Sequence, residues 1–188
     1  MAVLLIAELS GSDLAADATA KALTAATALG ETHVLVAGEG VAAAAEAASM
    51  LDGAAKVLVA DGPAHAHGLA EPMAELVVGL AGAYDHICAP ATVQGKNVAP
   101  RVAALLDVMV LTDVSEIVDA NTFVRPIYAG NAFQKVTSAD AKKVFTIRTA
   151  SFDAAGEQTA CPVETVAPAE DKGLSAWVED SVAASDRP

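Results

Sequence analysis

The chain has 188 residues, with 11 Lys+Arg against 24 Asp+Glu, a formal net charge of −13, 54% hydrophobic residues and only 19% charged ones. That apolar content excludes intrinsic disorder over most of the chain, and the sparse, scattered basic residues exclude a phosphate-binding patch for nucleic acid or an anionic membrane surface. No apolar run approaches the roughly 20 residues of a membrane span, and the start, Met1 to Ala7 without a basic residue and then Glu8, does not read as a secretory leader.

In chain order, apolar β-rich runs at residues 3–9, 33–37, 56–60, 86–89 and 108–111 alternate with Ala-rich helical segments near 13–29, 41–51, 72–81 and 97–106. Short strands that are apolar throughout, recurring at the spacing of βαβ units, suit a parallel sheet covered on both faces. The punctuation agrees. Ser12 and Asp13 are placed to cap the first helix, Gly30 to end it, Asp52-Gly53 to stop the second, and Pro72 to sit in the first turn of the third. The expected fold is α/β, a doubly wound, mostly parallel sheet, in a domain covering residues 1–150. Its helices carry few charges: only Asp17 and Lys21 within 14–29, and only Glu46 within 41–51. Ala-rich packing on the sheet explains this, and so does a large partner interface over the outer surface.

Beyond residue 111 the runs 113–118, 122–128, 132–137 and 143–148, with polar turns between them, predict antiparallel strands extending the sheet from one edge. Residues 151–188 read as an extended segment, interrupted by a strand-like run at 163–166 and a short amphipathic turn at Leu174, Trp177 and Val178. The closing Ser185-Asp186-Arg187-Pro188 reads as a linker.

Several motifs could carry chemistry. Gly38-Glu39-Gly40-Val41-Ala42-Ala43 follows a strand and opens a helix, with Asp61 ending the next strand. That is the pattern of a dinucleotide site, with glycines that admit a pyrophosphate to a helix N-terminus and an acid for the ribose. A tight strand-to-helix turn explains the glycines equally well, and Glu39 would place a carboxylate where phosphates must lie. His65 and His67 have metal-ligand chemistry, but no further His or Cys close in sequence completes a set, and both rings are expected in solvent. Cys88, two residues from His86, reads as an inert core thiol. With Cys161 it makes too few cysteines for a disulfide framework, which fits a reducing cytoplasm.

No nucleophile elbow, phosphate loop or acid–base pair stands out, so no catalytic residue is expected. Residues 92–101, holding Gly95, Lys96, Asn97 and Arg101, follow the fourth strand at the carboxyl edge of the sheet, where open α/β folds present loops to ligands. Arg125-Pro126 lies inside a strand, and Pro there suits only an edge or a bulge. Arg125 is then a solvated edge gatekeeper or an anchor at a protein contact.

Leu4-Leu5-Ile6-Ala7-Glu8, Ala55-Lys56-Val57-Leu58-Val59-Ala60, Gly95-Lys96-Asn97 with Pro100-Arg101-Val102-Ala103-Ala104, Phe123-Val124-Arg125-Pro126-Ile127-Tyr128-Ala129-Gly130-Asn131-Ala132 and Ser151-Phe152-Asp153-Ala154-Ala155 form a set of motifs spread over essentially the whole chain. The set resembles the alpha subunits of electron-transfer flavoproteins. The resemblance implies an adenine-nucleotide-hydrolase-like three-layer fold and an electron carrier rather than an enzyme. It implies that this chain is an N-terminal scaffold domain, ending at a Ser-Asp-Arg-Pro hinge before a C-terminal domain that holds the FAD. The partner would be a beta subunit, the one expected to bind AMP. The complete heterodimer would carry electrons from acyl-CoA dehydrogenases and similar flavin dehydrogenases to a membrane quinone oxidoreductase, in a bacterial cytoplasm.

On that resemblance the Gly38–Gly40 loop becomes a plain turn. Gly95, Lys96, Asn97, Arg101, Arg125, Tyr128, Gly130 and Asn131 remain as family-motif or interface candidates. A dinucleotide-binding fragment using Gly38, Gly40 and Asp61 and an adenine-nucleotide-binding regulator are the competing classes.

Overall fold

A computed structural model describes residues 2–181. The central strands are β1 (Ala2–Ile6), β4 (Glu31–Gly38), β5 (Ala54–Asp61), β6 (His86–Pro90), β7 (Val110–Val114), β11 (Lys143–Ile147) and β12 (Val163–Thr165). They form one sheet in the order β12-β5-β4-β1-β6-β11-β7, and every neighbouring pair is parallel. Helices α1 (Ala16–Thr27) and α2 (Ala42–Ser49) cover one face, α3 (Ala70–Leu80) and α4 (Val93–Leu105) the other. The doubly wound α/β fold expected from the sequence is the one observed.

The reason lies in the pleat. Successive side chains point to opposite faces, so Val3 and Leu5 enter the core under α1 and α2 while Leu4 and Ile6 enter the core under α3 and α4. The same split divides Val57 and Val59 from Leu58 and Ala60. A strand buried on both sides has no polar position, and this produced the unbroken apolar runs.

Three expectations are corrected. Ser12 and Asp13 do not cap α1. A hairpin of β2 (Leu9–Ser10) and β3 (Asp13–Leu14) takes up that segment, and Ala15 precedes the helix without a side-chain cap. The fourth helix starts at Val93 rather than Asn97, because the Thr92 hydroxyl caps it by accepting from the Gly95 N–H at 3.2 Å. The antiparallel strands, β8 (Glu116–Ile117), β9 (Thr122–Ile127) and β10 (Ala132–Thr137), build a separate three-stranded sheet instead of pairing with the edge of the main one. We call this sheet the arm. The next run, β11, inserts parallel between β6 and β7.

The predicted strand at 163–166 appears as β12, and the chain around it wraps the edge of the sheet as a strap. Phe152, Ala155 and Cys161 pack on the α1/α2 side, while Val166 and Ala169 pack on the α3/α4 side. Gln158 fastens the crossing: its amide donates to the Ser49 and Ala54 carbonyls at 3.3 and 2.7 Å and accepts from the Gly53 N–H at 3.3 Å. Backbone bonds from Val57 N–H to Pro162 O (2.9 Å) and from Val166 N–H to Val59 O (2.8 Å) continue the ladder. The exposed ion pair Lys56–Glu164, 2.8 Å, links β5 to β12. The predicted linker Ser185-Asp186-Arg187-Pro188 lies outside the described residues.

Candidate functional site

Strand order reverses at β1: β4 pairs on one side of it and β6 on the other. A crevice is expected there, outside the carboxyl ends of the strands. One of about 470 Å³ is present, lined among others by Glu8, His65, His67, Gln94, Asn97 and Trp177. The loops after β1 and β6 are joined across it by Thr92 Oγ donating to Glu8 Oε2 at 2.7 Å. Thr92 thus caps α4 and holds Glu8 at once. Burial pushes the Glu8 carboxyl above its ordinary range, and the Thr92 bond opposes that shift.

His65 is corrected from solvent to core, being only 2% exposed. Its Nε2 accepts from the Ala169 N–H of the strap at 3.1 Å, while its Nδ1 is buried without a partner. Burial holds its pKa below the ordinary histidine value. His67 is exposed, as expected, and stacks on the Trp177 indole with ring centroids 4.1 Å apart and planes 5° from parallel. Among the described residues no group of three or more His, Cys, Asp or Glu is placed to hold a metal ion. Burial drives the Cys88 thiol far above its usual range, which leaves it inert.

The Gly38–Gly40 loop is bonded within the fold itself. Asp61 is exposed and reaches over the loop, and its carboxylate accepts from the Gly40 N–H at 2.8 Å and the Val41 N–H at 3.2 Å. The amides that would hold a pyrophosphate are therefore engaged by the acid meant for the ribose. Gly40 has φ +69°, and a Cβ on Gly38 would collide with Val41 Cγ1, so both glycines are explained by the turn. The crevice does not suit phosphates either. Glu8 and Asp180 line it and, among the described residues, no Lys or Arg does, so an anion there meets like charge. The residues present do not fit the pyrophosphate of FAD.

The remaining motif residues do not converge on one site. Gly95 permits close packing of α4 on β6, since a Cβ there would collide with the Pro90 carbonyl oxygen. Lys96 pairs with Asp113 at 3.2 Å and Arg101 with Glu71 at 3.8 Å, whereas Asn97 lines the crevice. Arg125 donates to Thr112 Oγ at 2.8 Å, tying the arm to β7. On its β8 side β9 pairs only at Phe123 and Val124, which leaves Pro126 on an open edge as its chemistry requires.

At the tip of the arm Tyr128, Ala129 and Gly130 have successive φ values of +51°, +54° and +89°, and Asn131 Nδ2 donates to the Tyr128 carbonyl at 2.9 Å. Positive φ at two residues bearing Cβ atoms costs energy. The turn presents Tyr128, 79% exposed, and β10 presents Phe133, 68% exposed. Sequence reasoning missed Glu8, His65 and Trp177 as members of one site. Glu8, the first polar residue after the first strand, carried a usable signal; the other two carried none.

A family model described as the electron transfer flavoprotein domain matches residues 3–171. The electron transfer flavoprotein subunit alpha of Paracoccus denitrificans is 64% identical over 188 residues, covering 100% of this chain and 61% of that protein. The proteins of the same name from Bradyrhizobium diazoefficiens and Pseudomonas aeruginosa are 59% and 52% identical, with 100% of this chain covered and 60% and 61% of theirs. The chain thus spans about three-fifths of the length of these relatives. No helix among the described residues is long and apolar enough to cross a membrane. The chain belongs to the electron transfer flavoprotein family, in its alpha-subunit branch.

Proposed function

We propose that this chain is the N-terminal scaffold domain of an electron-transfer flavoprotein alpha subunit and assembles with a beta subunit. The observation that carries this reading is the match to alpha subunits along the entire chain, over three-fifths of their length, joined to a crevice whose carboxylates repel phosphate. FAD supplies the electron chemistry of the complete protein and is held outside these residues, while AMP belongs to the beta subunit. Electrons arrive from acyl-CoA dehydrogenases and similar flavin dehydrogenases and leave to a membrane quinone oxidoreductase. Residues 1–150 carry most of the α/β body, and the segment from residue 151, which adds β12 to its edge, leads on toward the flavin domain.

The arm suits the assembly role: Tyr128 and Phe133 expose aromatic surface, with Arg125, Gly130 and Asn131 shaping the hairpin behind them. Aromatic residues are enriched at interface cores. Co-expression with a beta subunit, followed by light scattering and an absorbance scan, tests the reading. The expected result is a one-to-one complex, with no flavin band when the chain is purified alone. A yellow isolated chain, or no complex at micromolar concentration, would refute it.

A further inference from the structure

The strap ends by covering the crevice, and its contacts there differ in kind. Lys172–Glu75 (3.0 Å) and Ser175 Oγ–Glu71 (2.6 Å) are polar contacts at half-exposed sites, and Trp177 lies on His67. Exposed pairs of this type hold little on their own. Among the described residues the buried polar anchor of this end is His65, whose Nε2 lone pair receives the Ala169 N–H.

We propose that His65 is a proton-released latch. With its ring neutral, the strap lies closed over the crevice. When Nε2 takes a proton, an N–H faces the Ala169 N–H, and the strap from Ala169 through Trp177 lifts away to open the crevice.

The chemistry follows from donor and acceptor counts. A neutral imidazole has one acceptor nitrogen and an imidazolium has none, so no rotation of the charged ring preserves the bond to Ala169. The titratable groups on the surrounding elements are Glu8 after β1, Asp61 ending β5, His67 on the same loop, Glu71 and Glu75 on α3, and Glu170, Asp171, Lys172, Glu179 and Asp180 on the strap, with Lys172 paired to Glu75. Lys96 and Arg101 on α4 are engaged with Asp113 and Glu71. Burial alone sets the direction of the His65 shift, and that direction favours the neutral, latched ring. Glu71 is held below its usual range, first by the Ser175 bond, so it stays ionised while histidines titrate.

The sign is fixed by linkage. A histidine whose pKa falls on latching gives full latch stability above its free value of about 6.5. The latch weakens as pH drops below that value toward the lowered one, by up to about tenfold per pH unit.

Trp177 is the sole tryptophan, so its fluorescence reports the strap directly. Acrylamide quenching of Trp177 and the exchange protection factor of the Ala169 amide are measured on the intact chain at pH 7.5 and 5.0. Wild type is expected to show easier quenching and lower protection at the acid pH, the loss of protection reaching at most about thirtyfold over the roughly 1.5 units below the free histidine value. His65→Ala should match acidified wild type already at pH 7.5. His65→Gln, whose side-chain oxygen still accepts from Ala169 but takes no proton, should stay closed at both. The proposal falls if His65→Ala leaves quenching and protection at the wild-type values, or if His65→Gln keeps the full pH response. Because His65→Gln preserves the bond, it remains decisive if the alanine variant fails to fold.

Discussion

The strap and the arm are both additions to the same parallel core, and each is tied to it by one buried histidine used in opposite ways. His65 accepts from the strap, through the Ala169 N–H. His86 Nε2 donates to the arm, through the Ala120 carbonyl at 2.7 Å. Protonation destroys the first bond and spares the second, since an imidazolium still donates. The two regions also differ in what they leave open. The strap fills the edge of the sheet with β12 and removes a free ladder from β5. The arm buries Phe123 against the Phe145 ring, centroids 5.1 Å apart, and leaves Tyr128 and Phe133 exposed. One addition closes the molecule on itself and the other presents a surface.

The largest effect should come from the root of the arm. Phe123→Ala removes a buried ring and should cost about 3–5 kcal/mol in denaturant unfolding; a loss under about 1 kcal/mol would mean that the arm is not part of the cooperative core. Gln158→Ala comes next. It strips partners from the Ser49 and Ala54 carbonyls and the Gly53 amide, and should cost about 2 kcal/mol with β12 losing exchange protection before the rest of the sheet.

Acid is a smaller, graded perturbation. Burial lowers the pKa of both His65 and His86, so global stability should be full above about pH 6.5 and fall as pH drops toward the lowered values, by at most about 1.4 kcal/mol per unit for each ring. Urea midpoints across pH 7.5 to 5.0 should show this slope, with a shallower slope for His86→Gln. The smallest stability effect belongs to the tip of the arm. Tyr128→Ser with Phe133→Ser should change stability by less than about 0.5 kcal/mol, yet weaken capture by a beta subunit at least tenfold on a sensor surface. Equal capture by the double variant would remove the arm from the interface.

The parallel body was legible because its signals are local. Apolar runs without alternation identified five of the seven central strands, and Gly53, at φ +94°, marked the end of α2 because the left-handed region suits a residue without Cβ. Family motifs lie on the body (Leu4–Glu8, Ala55–Ala60, Gly95–Ala104) and also on the arm (Phe123–Ala132) and the start of the strap (Ser151–Ala155). The antiparallel runs misled for a physical reason. Periodicity reports which faces of a strand are buried, not which strand lies beside it. The half-buried pattern of β9 and β10 fits a sheet edge and a separate arm equally well. The Gly38–Gly40 motif was ambiguous for a similar reason: its spacing fits a turn and a dinucleotide site alike, and only the fold shows Asp61 bonded to the loop amides.

By itself, then, the sequence determined the doubly wound class, the mostly parallel sheet, the covered core and the family, because each rests on composition and short-range pattern that survive without coordinates. Only the tertiary structure decided what closes the crevice. The bond from Ala169 to His65 joins residues 104 positions apart, and nothing in the neighbourhood of either one encodes the other. The strap is extended, charged and poor in periodicity, so its place is chosen by the edge it pairs with and the buried nitrogen it satisfies. Those are properties of the folded sheet, and they exist only once the sheet has formed.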